Sequence, residues 1–231
     1  MIRTTQCTKV KNMSITKHDS ESYEKILTTF DLKFPRKYGA ENIRKGFPSL
    51  RIIFEDLHAD NDGNPPSPLL YAHTVWSRCE GVDEALREDV EARARRAYPS
   101  FCREVHLYLL LKERFGDSAE IVYSADLDMN HKTDFLVQSP VEPVAIRLHT
   151  HTNTWRGNFY GAKKKKKSIF TLNDEVRRQA ADLPPVTGER KEVDLKLTLD
   201  NDNCHKTKNG FWLYSTDHVE QVVQEYEQLH E

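Results

Sequence analysis

The chain has 231 residues, 38% of them hydrophobic and 30% charged, which is enough to bury a sizeable core and excludes wholesale disorder. Thirty-four basic residues against thirty-six acidic give a formal charge of -2, so nucleic-acid binding has no support from net charge and must come from local segregation. Cys7, Cys79, Cys102 and Cys204 form no C-x-x-C pair, which argues against structural zinc or a redox motif; with no apolar run near the roughly 20 residues that span a bilayer and no apolar signal core at the start, a cytoplasmic protein without a membrane partner is expected.

In chain order, Tyr23, Ile26, Leu27 and Phe30 fall at helical spacing behind the cap candidate Asp19-Ser20, which predicts a short helix. The apolar run Leu50, Ile52, Ile53 and Phe54, within Phe47 to Leu57, and a second from Leu69 to Trp76 read as two strands joined by Asn61-Asp62-Gly63-Asn64-Pro65-Pro66. Val82 to Ala97 is rich in Glu, Ala, Arg and Leu, a helix that Asp83 can cap. Tyr98-Pro99-Ser100 predicts a break, after which a second, largely buried helix runs to Phe115 and stops at Gly116.

Ile121 to Ser124, Thr133 to Val137 and Val144 to Thr150 are rich in β-branched and aromatic residues and predict three consecutive strands of one sheet. The lysine run 163–167 and Ile169 to Ala181 read as a loop and a helix, and Leu183-Pro-Pro-Val-Thr-Gly as a break. Val193 to Leu199 alternates as a strand, Gly210 to Ser215 is a compact apolar run, and Thr216 to Leu229 is a closing helix. The expected class is α/β, a mixed sheet flanked by helices. Residues 1–97 are expected as an N-terminal elaboration of a strand pair and a charged helix, and residues 98–231 as the core domain.

Charge segregates between Glu104 and Lys167. Acids come first, on a helix and near a strand; then Pro143 to Asn173 run for thirty-one residues without one, carrying Arg147, Arg156 and Lys163, Lys164, Lys165, Lys166 and Lys167, with His149 and His151 between. Carboxylates can hold a divalent cation while guanidinium and ammonium groups hold phosphates. Glu104 shares a helix face with Tyr108 and Leu111, so its carboxylate needs a partner, and a salt bridge to Arg103 or Arg96 is the plain explanation. Asp134 opens an apolar strand and can be aimed into a cleft. Asp126 and Asp128 can present together from an extended segment, or be a solvated hairpin turn. Arg147, His149 and His151 alternate with apolar residues and share one face of a strand. The lysines read plainly as a solvated loop; Trp155, Arg156, Phe159 and Tyr160 beside them add stacking surfaces that suit nucleic acid.

The helix with Glu104, the strand that follows, Asp134 leading Phe-Leu-Val, and the third strand Val-Ala-Ile-Arg-Leu-His-Thr together resemble the core of the PD-(D/E)XK nuclease superfamily, the restriction-endonuclease-like fold, over about residues 100 to 170. In that family a helix glutamate, an aspartate opening a strand, and an acid or glutamine followed two residues later by lysine bind Mg²⁺ and activate water. Glu104 and Asp134 match the first two positions; Arg147 stands where the acid or glutamine belongs and His149 where the lysine belongs. The resemblance implies a metal-dependent nuclease acting on DNA, of restriction or phage-defence type. Glu104, Asp134 and Asp128 would hold Mg²⁺ or Mn²⁺ and His149 would take a proton, while Arg147, Arg156, Trp155 and the lysines would hold the nucleic acid. Residues 1–97 would serve as a specificity or homodimerisation element. Arginine at an acid position favours an alternative, a non-catalytic module on the same fold that binds nucleic acid or a phosphate ligand. A partner-binding protein docking its basic loop on an acidic surface is a third class.

Overall fold

The computed structural model describes residues 17–32, 47–152 and 191–231. Trp155, Arg156, the lysines 163–167 and the helix expected from Ile169 to Ala181 lie outside the described residues.

Helix α1 (Ser20–Leu27) starts where expected: the Asp19 carboxylate accepts the Ser22 N–H at 2.7 Å, and Tyr23 and Leu27, one turn apart, are buried. The two strands expected between Phe47 and Trp76 are instead helices, α2 (Leu50–Asp60) and α3 (Pro68–Ser77). Each opens on a serine cap, Ser49 accepting from Ile52 and Ser67 from Leu70 at 3.2 Å, and Pro68 occupies a first-turn position where its missing N–H goes unneeded. Leu50, Ile53, Phe54 and Leu57 pack on the core while Ile52 stays exposed. The period is that of a helix, which the contiguous apolar run 52–54 concealed.

A single 3₁₀ turn (Glu84–Leu86), capped by Asp83, leads into α4 (Arg87–Phe115), which runs through Pro99 without the expected break. Proline inside a helix costs about 3 kcal/mol. Tyr98, Cys102, Val105, Leu107 and Leu111 are fully buried along this helix, and each large apolar side chain so buried contributes about 1.5–3 kcal/mol, so packing overrides the breaker. The Tyr98 hydroxyl also donates to the Pro66 carbonyl at 2.6 Å. Gly116, at φ +53°, ends the helix.

Four strands follow, β1 (Glu120–Val122), β2 (Phe135–Gln138), β3 (Val144–Thr152) and β4 (Lys191–Leu199), adjacent in that order. β1, β2 and β3 are antiparallel and β4 runs parallel to β3, with Arg147 opposite Asp194 and His149 opposite Lys196. The turn expected around Asp126 and Asp128 is a short helix, α5 (Ala125–His131), capped by Ser124. β5 (His205–Lys206) and β6 (Trp212–Leu213) form a small hairpin, and α6 (Thr216–Leu229) closes the chain as expected. The protein is thus a mixed α/β fold whose four-stranded sheet is flanked by helices.

One core joins the N-terminal helices, α4 and α6 to one face of the sheet through Ile121, Phe135, Val137, Ile146, Leu148 and Leu197. α4 crosses the expected boundary between residues 97 and 98, and residues on both sides of it share this core. Val122, Leu127, Leu136 and Ala145 form a separate small cluster on the opposite face. Among the described residues no helix is long and apolar enough to cross a membrane.

Candidate functional site: an arginine among carboxylates

Arg51 lies in the first turn of α2, and its side chain runs inward until only 4% of the residue is exposed. Its Nε donates to Glu55 at 3.1 Å; Nη1 stands 3.2 Å from Glu104 Oε2 and 3.3 Å from Asp128 Oδ2. The guanidinium carbon sits 4.4 Å from the centre of the Tyr123 ring, a cation–π contact strengthened by desolvation. Three helices, α2, α4 and α5, and the residue after β1 therefore meet at one cation. Glu55 extends the junction, accepting the Ala125 N–H that opens α5 at 3.1 Å, and the Tyr123 hydroxyl donates to Glu104 at 3.3 Å.

Asp134 enters from the start of β2. Its backbone N–H donates to Leu148, and its Oδ2 accepts both the N–H and the hydroxyl of Thr150, the latter at 2.9 Å. Its charge and that of Asp128 are both felt at Glu104. Burial is the largest influence on Glu104 and pushes its pKa up to about 7; Arg51 opposes this, while Asp134 and Asp128 add to it. Burial likewise raises Glu55 against the pull of Arg51. Burial works against the charge of Arg51, but Tyr123, Glu104, Glu55 and Asp128 together hold its pKa above the ordinary value. At Glu104, burial and two neighbouring acids thus outweigh the one guanidinium.

β3 divides the remaining candidates. Ile146 and Leu148 belong to the core beneath α4, whereas Ala145 belongs to the opposite face. By strand alternation Thr150 and Thr152 follow Leu148, in agreement with the Thr150–Asp134 bonds and with the bond from Arg103 of α4 to the Thr152 hydroxyl. Arg147 and His149 follow Ala145 to the other face. There Arg147 holds Asp194 of β4 through two nitrogens, Nε at 3.0 Å and Nη2 at 3.1 Å, and His149 Nε2 stands 3.1 Å from the same carboxylate. The expected shared face of Arg147, His149 and His151 is observed, but it is not the face that meets α4.

No family model, curated protein or solved structure matches the chain. The site must therefore be read from its own chemistry. Glu104 and Asp128 share Arg51 and the charge of Asp134 reaches Glu104, while Arg147 and His149 pair with Asp194 on the other face of the sheet; the side chain of Asp126, like Trp155, Arg156 and the lysines, is outside the described set. The partner of Glu104 is neither Arg103 nor Arg96 but Arg51. Arg51 and Glu55 escaped sequence reasoning because their segment reads as a strand. As a helix, the same residues form an i,i+4 ion pair on the inward side, a signal open to anyone who assigns the period correctly. Among the described residues no group of three or more His, Cys, Asp or Glu is arranged to hold a metal ion; the cation that Glu104 and Asp128 share is the Arg51 guanidinium.

Proposed function

We propose that this chain is a metal-dependent nuclease that hydrolyses DNA phosphodiester bonds, of restriction or phage-defence type. The observation that carries the reading is that Glu104 of α4 and Asp128 of α5 share one buried cation, Arg51, while the charge of Asp134, just before β2, reaches Glu104. The order of elements supports it too: a helix bearing Glu104 precedes a strand, then Asp134 leads the next. The oxygen donors suit Mg²⁺ or Mn²⁺, and a guanidinium held by two of these carboxylates is already a stand-in cation. A metal ion there would supply Lewis acidity and lower the pKa of water. The protein's own part is positional. Thr150 fixes Asp134 with two hydrogen bonds, Tyr123 orients Glu104, and Glu55 ties α2 to α5. His149 stays with Asp194 and takes no part in this version of the site.

Supercoiled plasmid incubated with the protein and Mg²⁺ or Mn²⁺ tests the reading. Wild type should nick or linearise it, and Asp134→Asn, which keeps the side chain's shape, should lower the rate on the order of 10²-fold or more. Cleavage by the variant at the wild-type rate would remove Asp134 from the site and the reading with it.

A second reading, a non-catalytic module that binds nucleic acid or a phosphate ligand, is favoured by two observations: Arg51 fills the space between Glu104 and Asp128, and Arg147 is paired with Asp194 at the third motif. It predicts DNA retention that needs no divalent ion, weakens steeply with salt and leaves the strands intact.

A further inference from the structure

Nη1 of Arg51 lies 3.2 Å from an oxygen of Glu104 and 3.3 Å from one of Asp128. A divalent ion bound by those two oxygens would lie about 2.0–2.2 Å from each, in the space this nitrogen fills. The two cations exclude each other. Charge favours the newcomer: Glu55, Glu104 and Asp128 carry three negative charges when ionised, which one guanidinium leaves at −2 and one dication would leave at −1. The resident is also incompletely satisfied, because Nη2 of Arg51 is buried with no hydrogen-bond partner among the described residues, a condition that weakens a buried ion pair. Arg51 is the second residue of α2, in the turn where a helix has the fewest backbone bonds to lose.

We propose that the Arg51 guanidinium is a displaceable resident cation, competing with a divalent metal ion for the oxygens of Glu104 and Asp128, so that metal enters as the first turn of α2 releases it. The inference rests on the metal-site reading above and adds a control to it: the N-terminal helices decide when the carboxylates are open. Breaking the internal pair would loosen α2 and free the guanidinium for solvent or for an anion brought to the same place.

Mn²⁺ binding, followed by calorimetry without DNA, provides the test. Arg51→Gln should bind Mn²⁺ at least about tenfold more tightly than wild type, with Arg51→Lys between them, and Glu104→Gln in the Arg51→Gln background should abolish the gain. Equal or weaker binding by Arg51→Gln, or no binding by any of these proteins, overturns the proposal. A measurement on the wild type stands apart from any effect of substitution on folding: the Arg51 Nε–H cross-peak, identified by its absence in Arg51→Lys, should shift toward the solvent-exposed range as Mg²⁺ is added. A peak that stays in place at saturating Mg²⁺ also overturns it. Tighter Mn²⁺ binding without strand cleavage leaves this inference standing and removes the nuclease reading; cleavage with Mn²⁺ affinity unchanged by Arg51→Gln does the reverse.

Discussion

Glu104 sits where a negative charge is hardest to keep. A carboxyl whose pKa rises on folding, here from 4.5 to about 7, holds its proton more tightly in the folded chain. Its contribution to stability is therefore fully present below about pH 4.5 and is lost as pH climbs through about 7, a change of at most about 3 kcal/mol. Glu104→Gln is neutral throughout and lacks this loss. Urea unfolding of both proteins should show the difference between them moving in the variant's favour, by up to about 3 kcal/mol, from about pH 5 to about pH 8; a difference constant with pH would mean that Glu104 ionises without penalty. Arg51 obeys the opposite logic, since Tyr123 and the carboxylates around it hold its charge in place against burial.

At the scale of elements, α2 and α3 show how a cap outweighs a local apolar run. Ser67-Pro68 is an N-cap followed by a first-turn proline, and Ser67 accepts the Leu70 N–H at 3.2 Å. Ser67→Ala should cost about 1 kcal/mol, read as a lower urea midpoint at unchanged slope. An unchanged midpoint would mean that packing alone starts α3. α4 shows the reverse ranking, a local breaker overruled by burial: Pro99 lies within a helix whose neighbours Tyr98 and Cys102 are fully buried. β3 governs the site most directly. One residue of alternation sends Thr150 toward Asp134 and sends His149 to Asp194, so Arg147 and His149 lie together on the face away from α4.

For the whole molecule, the decisive feature is the continuity of the core. Tyr23 and Leu27 of α1, Ile53 and Phe54 of α2, α4, the sheet and Tyr226 of α6 belong to one buried cluster. A fragment of residues 98–231 would expose the surfaces that α1, α2 and α3 cover and cut α4 in the middle. It should be unfolded or molten, with poor amide dispersion in NMR and lost near-UV circular dichroism, whereas the full chain should unfold with coincident near- and far-UV transitions. A fragment giving a dispersed, cooperative spectrum would show instead that the core divides. The same continuity lets α2 carry Arg51 into a site otherwise built from α4, α5 and β2.

Periodicity and caps sufficed by themselves for α1, β1, β3, β4 and α6, for the mixed α/β class, and for singling out Glu104 and Asp134 as acids needing explanation. These are local signals: side-chain alternation, Asp19 ahead of Tyr23 and Leu27, a glycine past Phe115. Tertiary structure alone decided that α4 passes through Pro99 and that Arg51 rather than Arg103 meets Glu104. Each depends on burial against residues distant in the chain. A proline's cost can be offset by packing, and the partner of a buried charge is whichever opposite charge the fold carries to it.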